Sequence, residues 1–278
     1  MKKLLAMIMA VVLMLTCAAV FVGCTAEGDD NKNTASETES ASESASESET
    51  AGDETEKPVL KMGTNAYFQP YEYYDGDKIV GIDAEIAAAI AEKLGMTLKI
   101  VDMEFETILT AVNAGSVDFG MAGMTITEDR LLEVDFSISY ANGKQVVIVK
   151  NDSPITSVDD LFADGATYKA GVQLGTTGDI YATGDLGEDR VTTYNNANNA
   201  VLALNAGDVD CVIIDNEPAK ALVAANEGLK ILETAYADED YAIAVKKDND
   251  ELLEKINDAI LALTEEGKID EILEKYIH

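Results

Sequence analysis

The residue types that usually carry catalysis are mostly missing from this 278-residue chain. Its single histidine is the last residue, His278, and the chain has no Gly-x-Ser-x-Gly motif, phosphate-binding glycine loop, dinucleotide fingerprint or metal-spaced cysteine pair. Serine–histidine–aspartate and zinc chemistry are therefore excluded, and we expect no metal and no cofactor. Carboxylate-only acid–base chemistry stays open, but among 52 acidic residues no single one is informative.

One segment, residues 121–130 (MAGMTITEDR), carries groups suited to a small anion. Gly123 allows the backbone to approach a ligand closely, Thr125 offers a hydroxyl, and Arg130 presents a planar fork that fits a carboxylate. Thr127 can cap a short helix. On the arginine alone, the alternative is an ion pair on a solvated face with one of its acidic neighbours: Asp129, Glu133 or Asp135.

A second candidate segment, residues 170–179 (AGVQLGTTGD), runs from an apolar strand through a glycine and threonine turn into a helix. Backbone N–H groups at such a helix start bind carboxylates. Thr176 and Thr177 are equally expected as ordinary capping residues. Asp215 follows the apolar strand at 211–214, where an acid would suit an ammonium group. Open α/β sheets bind their ligands at the carboxyl ends of the strands, which is where these segments are expected.

Alternating strands and helices are predicted to position these segments. We expect strands at 59–63 and 96–101, a helix capped by Asp83 that ends at Leu94, and a helix over 105–113. Near the carboxyl end we expect a strand at 241–246 and helices at 250–265 and 268–276. Near residue 115 a predicted helix stops at Asn-Ala-Gly, and a strand then starts with Val-Asp. The same pattern recurs near residue 207, which indicates two lobes of similar architecture.

The first 23 residues have the order of a secretory signal, because two lysines precede an apolar run over residues 4–22. Residues 21–24 (FVGC) resemble a bacterial lipobox, so we expect cleavage before Cys24 and lipidation of its thiol. An uncleaved membrane anchor is the alternative, since about 20 apolar residues span a bilayer. Either interpretation places the rest of the chain outside the membrane.

Residues 24–57 are predicted to be the lipidated cysteine followed by a disordered acidic stalk. After Cys24 this stretch is almost entirely Ser, Thr, Glu, Asp, Ala and Gly, with no aromatic or branched aliphatic residue, so it cannot bury a core. It is interpreted as a spacer that holds a domain off a membrane. Low-complexity filler without a role predicts the same physical behaviour.

The charge of the chain excludes one class of partner. The formal net charge is −32, and no basic stripe is present to hold a phosphate backbone, so we expect no nucleic acid partner. The three cysteines cannot form a disulfide framework, and Cys211 lies in an apolar strand. We therefore expect Cys211 to be a small buried thiol.

In this order, the segments resemble the polar-amino-acid-binding proteins of ABC importers, solute-binding family 3. The resemblance covers nearly all of residues 59–277 and includes residues 63–72 (GTNAYFQPYE), 80–83 (VGID) and 267–276 (GKIDEILEKY). It implies an α/β, two-lobed periplasmic-binding-protein-like (type II) fold with a two-strand hinge. Lobe 1 would comprise residues 58–140 and 241–278, and lobe 2 residues 141–240. Nothing suggests an oligomer, so a monomer is expected.

The resemblance further implies a cleft site for a polar L-amino acid. Arg130 would clamp the α-carboxylate, helped by N–H groups around Thr125 and Thr177. Asp215, the Gly123 carbonyl and the Thr125 hydroxyl would hold the α-ammonium group. The positions that it implies as ligand-binding are Asn65, Phe68, Phe105, Ala122, Gly123, Thr125, Arg130, Gln173, Thr176, Thr177 and Asp215, of which the two phenylalanines would sandwich the ligand side chain.

Asn65 is the departure from the family pattern that bears on specificity. The resemblance implies that members that bind basic side chains, and many glutamine binders, carry Asp or Glu at this position. Asn removes the negative charge that would neutralise a basic ligand side chain. Gln173 and Ile214 also replace polar or charged positions of glutamine-type members. We therefore expect a neutral polar amino acid such as glutamine rather than arginine or lysine, unless Glu72 or Glu104 compensates.

The function implied is that of an extracellular, membrane-anchored binding protein, not an enzyme, that delivers an amino acid to the permease of an ABC importer. The alternative is an enzyme, because a few relatives of this fold are dehydratases acting on arogenate or prephenate. Asp215 is the only strong candidate for their general acid, and it is already assigned to the ammonium group. A ligand-sensing receptor ectodomain is a third interpretation, which is disfavoured because no second apolar span follows the first.

Overall fold

The computed structural model describes residues 57–277. The predicted signal, the stalk up to residue 56, the lipidation site Cys24 and the terminal His278 lie outside the described residues. Between residues 57 and 277, none of the helices has both the length and the apolar character needed to cross a bilayer.

Strands and helices alternate along the described residues, as the sequence pattern predicts. The strands are β1 (Val59–Thr64), β2 (Tyr67–Phe68), β3 (Glu72–Asp75), β4 (Lys78–Val80), β5 (Thr97–Asp102), β6 (Phe119–Gly120), β7 (Val134–Phe136), β8 (Ala141–Lys150), β9 (Ala170–Gln173), β10 (Val191–Tyr194), β11 (Cys211–Asp215), β12 (Leu229–Ile231), β13 (Ala237–Tyr241) and β14 (Ala244–Lys246). The helices are α1 (Ile82–Lys93), α2 (Ile108–Asn113), α3 (Glu128–Glu133), α4 (Thr177–Leu186), α5 (Ala197–Ala206), α6 (Asn216–Ala225), α7 (Asp250–Glu265) and α8 (Lys268–Tyr276). Short 3₁₀ helices occur at Phe105–Thr107, Val158–Leu161 and Glu188–Arg190.

The first lobe is built on a sheet with the strand order β5-β1-β6-β14-β7. β1 pairs in parallel with β5 and β6, whereas β14 pairs antiparallel with both β6 and β7. Ala244 and Val245 are neighbours on β14 but belong to different apolar clusters, so both faces of this sheet are covered. Helices α1, α7 and α8 pack on one face, and α2 packs on the other.

The second lobe has a sheet with the order β10-β9-β11-β8-β12, and β13 also pairs with β8. Ile213 and Ile214 are neighbours on β11 and pack in different apolar clusters, on opposite faces of the sheet. Ile213 packs with residues of α4, and Ile214 packs with residues of α5 and α6. Cys211 is buried, as predicted, and burial raises the pKa of its thiol to about 12. This cysteine is therefore a packing residue rather than a reactive thiol.

Two strands connect the lobes. β8 follows β7 of the first sheet, β13 precedes β14, and β8 and β13 pair antiparallel from Ala141 opposite Tyr241 to Gln145 opposite Ala237. A Cβ atom added at Gly143 would collide with the Tyr241 hydroxyl, so a residue without a side chain is needed beneath this ring. The predicted two-lobed α/β fold with two connecting strands is confirmed.

The predicted helix cap at Asp83 is wrong. Helix α1 begins at Ile82, and the Asp83 side chain makes no capping hydrogen bond. The buried carboxylate instead accepts hydrogen bonds from the Gly123 N–H at 2.8 Å and from the Tyr140 hydroxyl at 2.9 Å. A carboxylate removed from water needs strong donors, and the packed lobe supplies better ones than the helix end.

The strand predicted over 241–246 is in fact two strands. β13 ends at Tyr241 in the second sheet, and β14 begins at Ala244 in the first, because the chain changes sheets between them. The Ala242 N–H meanwhile donates to the Met124 carbonyl at 2.9 Å, which fixes the crossing segment against the first lobe. A continuous apolar run gives no local signal for such a change of sheet.

Candidate functional site

All the residues predicted to bind a ligand line one cavity between the two lobes. The first lobe contributes residues up to Arg130, and the second lobe contributes residues from Gln173 onward. Glu72, which the sequence analysis did not place in the site, lines the same cavity. The lining residues are Asn65, Phe68, Glu72, Phe105, Ala122, Gly123, Thr125, Arg130, Gln173, Thr176, Thr177 and Asp215. Their contacts with a ligand stay predictions.

The cavity lies where four strands end. Asn65 follows β1, Ala122 follows β6, Gln173 is the last residue of β9, and Asp215 is the last residue of β11. Parallel strands of an α/β sheet present their carboxyl ends at the same edge, and ligands bind at that edge. The edges of the two sheets at which these strands end therefore face each other across the cavity.

Arg130 is buried in this cavity, with 7% of its surface exposed. Its Nη1 atom donates to the Thr125 carbonyl at 2.7 Å and its Nη2 atom to the Gly175 carbonyl at 3.0 Å. The guanidinium carbon lies 5.4 Å from the centre of the Phe105 ring, within range of a cation–π contact. The guanidinium plane is thus fixed from three sides.

Among residues 57–277, no carboxylate forms an ion pair with Arg130, so the alternative of an ion pair on a solvated face is wrong. Asp135 instead pairs with Lys247 at 3.1 Å. Burial lowers the pKa of Arg130, and the charges of Glu239 and Asp215 act in the opposite direction. The hydrogen-bond partners of this guanidinium are neutral carbonyls, so its positive charge is available to pair with an anionic ligand.

The threonines serve partly as helix caps. The Thr127 hydroxyl accepts from the Arg130 N–H at 3.2 Å, so the predicted cap of α3 is confirmed. The Thr176 hydroxyl accepts from the Asp179 N–H at 3.3 Å, which confirms the capping interpretation for this residue. Thr177 is the first residue of α4. The first N–H groups of a helix have no partner inside it, so those of α4 at the cavity wall are suited to a carboxylate.

Two hydrogen bonds cross the cavity from lobe to lobe. The Arg130 guanidinium reaches the Gly175 carbonyl, and Gln173 Nε2 donates to Asn65 Oδ1 at 2.9 Å. Asn65 Nδ2 donates in turn to the Met103 carbonyl at 2.8 Å. Both polar atoms of the Asn65 side chain are therefore occupied within the protein.

Gly123 is required by both its backbone angle and its neighbour. Its φ of +53° lies in the left-handed region, and a Cβ atom there would lie 2.6 Å from Cε1 of Phe68. Its N–H donates to buried Asp83, and burial raises the pKa of that carboxyl to about 6, although the hydrogen bonds from Gly123 and Tyr140 oppose the rise. The loop at Gly123 is thus tied to the core of the first lobe.

Gly123→Ala is expected to weaken amino-acid binding by about tenfold or more, because the new methyl group displaces Phe68 from the cavity wall. Isothermal titration calorimetry would measure the loss. Gly76→Ala is the matched control, since Gly76 has a φ of +60° but no atom within 4 Å of an added Cβ. The control should lose about 1–2 kcal/mol of stability and keep its affinity. Equal affinities for the two variants would contradict the packing role of Gly123.

Asp215 faces the cavity from the second lobe and is 7% exposed. Gln145 Nε2 donates to its Oδ2 atom at 2.8 Å, and the Tyr241 hydroxyl donates to its Oδ1 atom. Burial and the charge of Glu239 raise the pKa of Asp215, while the two hydrogen bonds lower it. Both donors belong to the connecting strands, so the carboxylate is tied to the segment that joins the lobes.

Glu72 is the cavity residue that the sequence analysis considered only as an acid able to compensate for Asn65. Its side chain is 1% exposed, and neither carboxylate oxygen has a hydrogen-bond partner among the described residues. Burial, and next the charge of Asp83, raise the pKa of Glu72. Glu104, the other acid considered from the sequence, is exposed and does not line the cavity. The only local signal was an acid flanked by tyrosines at the start of a short strand.

Comparisons with known proteins identify relatives of the same architecture. The arginine-binding extracellular protein ArtP of Bacillus subtilis (strain 168) is 34% identical over 81% of this chain and 89% of its own length. An ancestral arginine-binding protein bound to arginine is 41% identical, with a TM-score of 0.73 over 80% of this chain and 99% of the other. An ancestral arginine-binding protein bound to glutamine is 39% identical, with a TM-score of 0.74 over 80% and 98%.

These relatives confirm the two-lobed type II fold and show that this chain is a binding protein and not an enzyme, so the dehydratase alternative is not favoured. The family model described as bacterial extracellular solute-binding proteins, family 3, matches residues 60–278. The matched region contains both lobes and every residue that lines the cavity. The chain belongs to the bacterial extracellular solute-binding proteins of family 3.

Proposed function

We propose that this protein captures a polar L-amino acid outside the cell and delivers it to the permease of an ABC importer. One observation carries the proposal: a buried guanidinium, Arg130, and a buried carboxylate, Asp215, line the same cavity from opposite lobes. An α-amino acid zwitterion offers the two complementary groups. The arginine-binding relatives support this choice of ligand class.

The α-carboxylate is assigned to Arg130 and to the start of α4. Each Nη atom of Arg130 donates to a backbone carbonyl in the ligand-free protein. One of these carbonyls, that of Gly175, belongs to the second lobe. The ligand carboxylate would carry a full negative charge where a carbonyl carries only a dipole, and its two oxygens could accept from both Nη atoms of Arg130. It would also bind both lobes at once, so we expect the closed form to be favoured when the site is occupied.

The side chain of the ligand is proposed to be cationic, with arginine as the first candidate. The expectation of a neutral ligand rested on Asn65, Gln173 and Ile214. The Asn65 amide is occupied by Gln173 and Met103 within the protein. Glu72 adds a buried acid with two unpartnered oxygens, a suitable receptor for a guanidinium. Glutamine is the second candidate, supported by Asn65 and by the glutamine-bound ancestral protein.

A thermal-shift panel tests the binding proposal. The full-length protein in detergent would be heated with each of the twenty amino acids, cystine and ornithine. A ligand present at 100 times its dissociation constant adds about 2.7 kcal/mol of stability. We expect the largest shift with arginine, and no shift with any compound would contradict the proposed function.

The membrane attachment is proposed to be a lipid on Cys24, with residues 25–57 as the spacer that holds the lobes off the extracellular face. The lipobox-like FVGC phrase and the acidic low-complexity stretch support it. Cys24→Ser is expected to abolish incorporation of labelled fatty acid, because the thiol that would carry the lipid is removed. A variant that keeps the label would contradict the assignment of the lipid to Cys24.

A further inference from the structure

The Gln145 side chain links the cavity residue Asp215 to both connecting strands. Gln145 lies on β8, opposite both Asp215 of β11 and Ala237 of β13. It is 1% exposed and does not line the cavity. Its Nε2 atom donates to Asp215 Oδ2 at 2.8 Å and to Glu239 Oε2, on β13, at 3.0 Å. One amide group therefore serves a cavity residue and a connecting strand at once.

The neighbours of this amide fix which end of it faces the acids. Both acids accept from Nε2, which also lies 3.4 Å from the hydroxyl of Thr177 at the start of α4. A reversed amide would place its oxygen against both carboxyl groups, so the donor end faces them. At the other end, a Cβ atom added at Gly178 would lie 3.0 Å from Gln145 Oε1. The amide is thus held between the first turn of α4 and the two acids.

Both donors to Asp215 are neutral. Its Oδ2 atom accepts from the Gln145 amide, and its Oδ1 atom accepts from the Tyr241 hydroxyl. Among residues 57–277, no cation forms an ion pair with Asp215. A neutral donor orients a carboxyl group without supplying a counter-charge, whereas a cation at this place would substitute for the ammonium group of a ligand. The two donors therefore fix the geometry of Asp215 and leave the counter-charge to a ligand in the cavity.

We propose that Gln145 is a positioning residue, which holds the Asp215 carboxyl group toward the ligand ammonium and thereby sets the preference for ligands that carry an α-amine. Gln145 acts through Asp215 and is not itself a contact of the ligand. A carboxyl group that has lost one of its two donors is held less precisely, so an ammonium group gains less from it. The inference rests on the proposed function for the ammonium group. The effect of Gln145 on the position of Asp215 does not depend on any ligand.

Gln145→Met removes the amide at similar length, and a pair of ligands that differ only in the α-amine reports its effect. L-Arginine is compared with δ-guanidinovalerate, and L-glutamine with glutaramate, in competition calorimetry of the full-length protein in detergent. The preference for the amino acid over its analogue should fall by at least about tenfold in the variant. The affinity for the analogue should change little, because it has no α-ammonium group for Asp215 to bind. If both compounds of a pair weaken equally, Gln145 only stabilises the fold, and the proposal is overturned.

Two further variants separate positioning from stability. Asn257→Leu is the control, because Asn257 Oδ1 accepts from the Ile138 N–H at 2.9 Å, in the segment before β8 and outside the cavity. It should lower the melting temperature and leave the preference for the α-amine unchanged. Gln145→Met combined with Glu239→Leu serves if the single variant does not fold, because no acid at position 239 is then left without its donor. The double variant should show the same loss of preference, and a wild-type preference in it would overturn the proposal.

Crystal structures of the full-chain wild type and Gln145→Met without an amino acid decide the positioning role independently of the ligand. We expect the Asp215 carboxyl group to leave its wild-type orientation in the variant, because only the Tyr241 hydroxyl still donates to it. The same orientation of this group in both structures would overturn the proposal. A wild type that binds neither amino acid would instead contradict the proposed function, and the two structures would then still decide whether Gln145 holds Asp215.

Discussion

Arg130→Ala is expected to fold normally and to lose amino-acid binding by more than about 100-fold. Removing one partner of a buried, hydrogen-bonded charge pair costs about 3–5 kcal/mol, because the ligand carboxylate is left desolvated without a counter-charge. The ligand-free variant should also lose some stability, because the Thr125 and Gly175 carbonyls lose their donor, and its melting temperature is therefore compared with that of the control below. Calorimetric titration and thermal unfolding measure the two effects separately.

Arg190→Ala is the matched control for this substitution. Arg190 also donates to two carbonyls, those of Tyr168 at 2.9 Å and Leu161 at 2.8 Å, but it does not line the cavity. The control should lower the melting temperature and leave the affinity unchanged. Arg130→Lys keeps the charge but loses the planar fork, so it should recover only part of the binding. An Arg130→Ala protein with near-normal affinity would refute the placement of the carboxylate.

Most of the fold was predictable because its signals are local. Helices α2 and α5 each end within an Asn-Ala-Gly phrase, and a strand begins a few residues after each helix. Such signals depend on neighbours in sequence, and the structure has the elements close to where they were expected. Asp83 shows where local reasoning ends, because an acid at a helix start is a good cap until a buried N–H from Gly123 competes for it.

The difference between local and tertiary signals also explains which site residues could be predicted from the sequence. Arg130 and Asp215 follow strands at the edge where α/β sheets bind ligands, so their position pointed to a role. Glu72 was considered only as one of two acids that could compensate for Asn65, because nothing in the sequence distinguished it further among 52 acids. The environment of Glu72 exists only after β3 is packed, since burial and the loss of hydrogen-bond partners are properties of the tertiary structure.

Glu72→Gln is expected to change the ligand preference of the protein rather than its ability to bind. Affinity for arginine should fall by at least about 30-fold, because a buried guanidinium would lose the carboxylate that accepts two of its N–H groups. Affinity for glutamine should fall far less, since a neutral side chain has no charge to neutralise. Competition titrations of both amino acids against both proteins measure this switch.

The pH dependence of arginine binding follows from the state of Glu72 in the ligand-free protein. Burial, and next the charge of Asp83, raise the pKa of Glu72, so the ligand-free protein keeps the Glu72 proton to a higher pH than a carboxyl group in water does, and pairing with a guanidinium would release that proton. Because the free protein then binds more protons than the complex, affinity for arginine should rise with pH, by at most about tenfold per pH unit. Glutamine binding and the Glu72→Gln protein should not show this slope.

Glu104→Gln is the control for the loss of a negative charge near the cleft, because Glu104 is exposed and outside the cavity. Its affinity for arginine should match that of the wild type. If Glu104→Gln weakens arginine binding as much as Glu72→Gln does, the effect comes from the general field of an acidic protein and not from a specific receptor. If Glu72→Gln keeps full affinity for arginine, Glu72 is not the receptor of the cationic side chain. If the wild type binds glutamine but not arginine, the cationic ligand is ruled out, and Asn65 then favours the neutral amino acid first expected from the sequence.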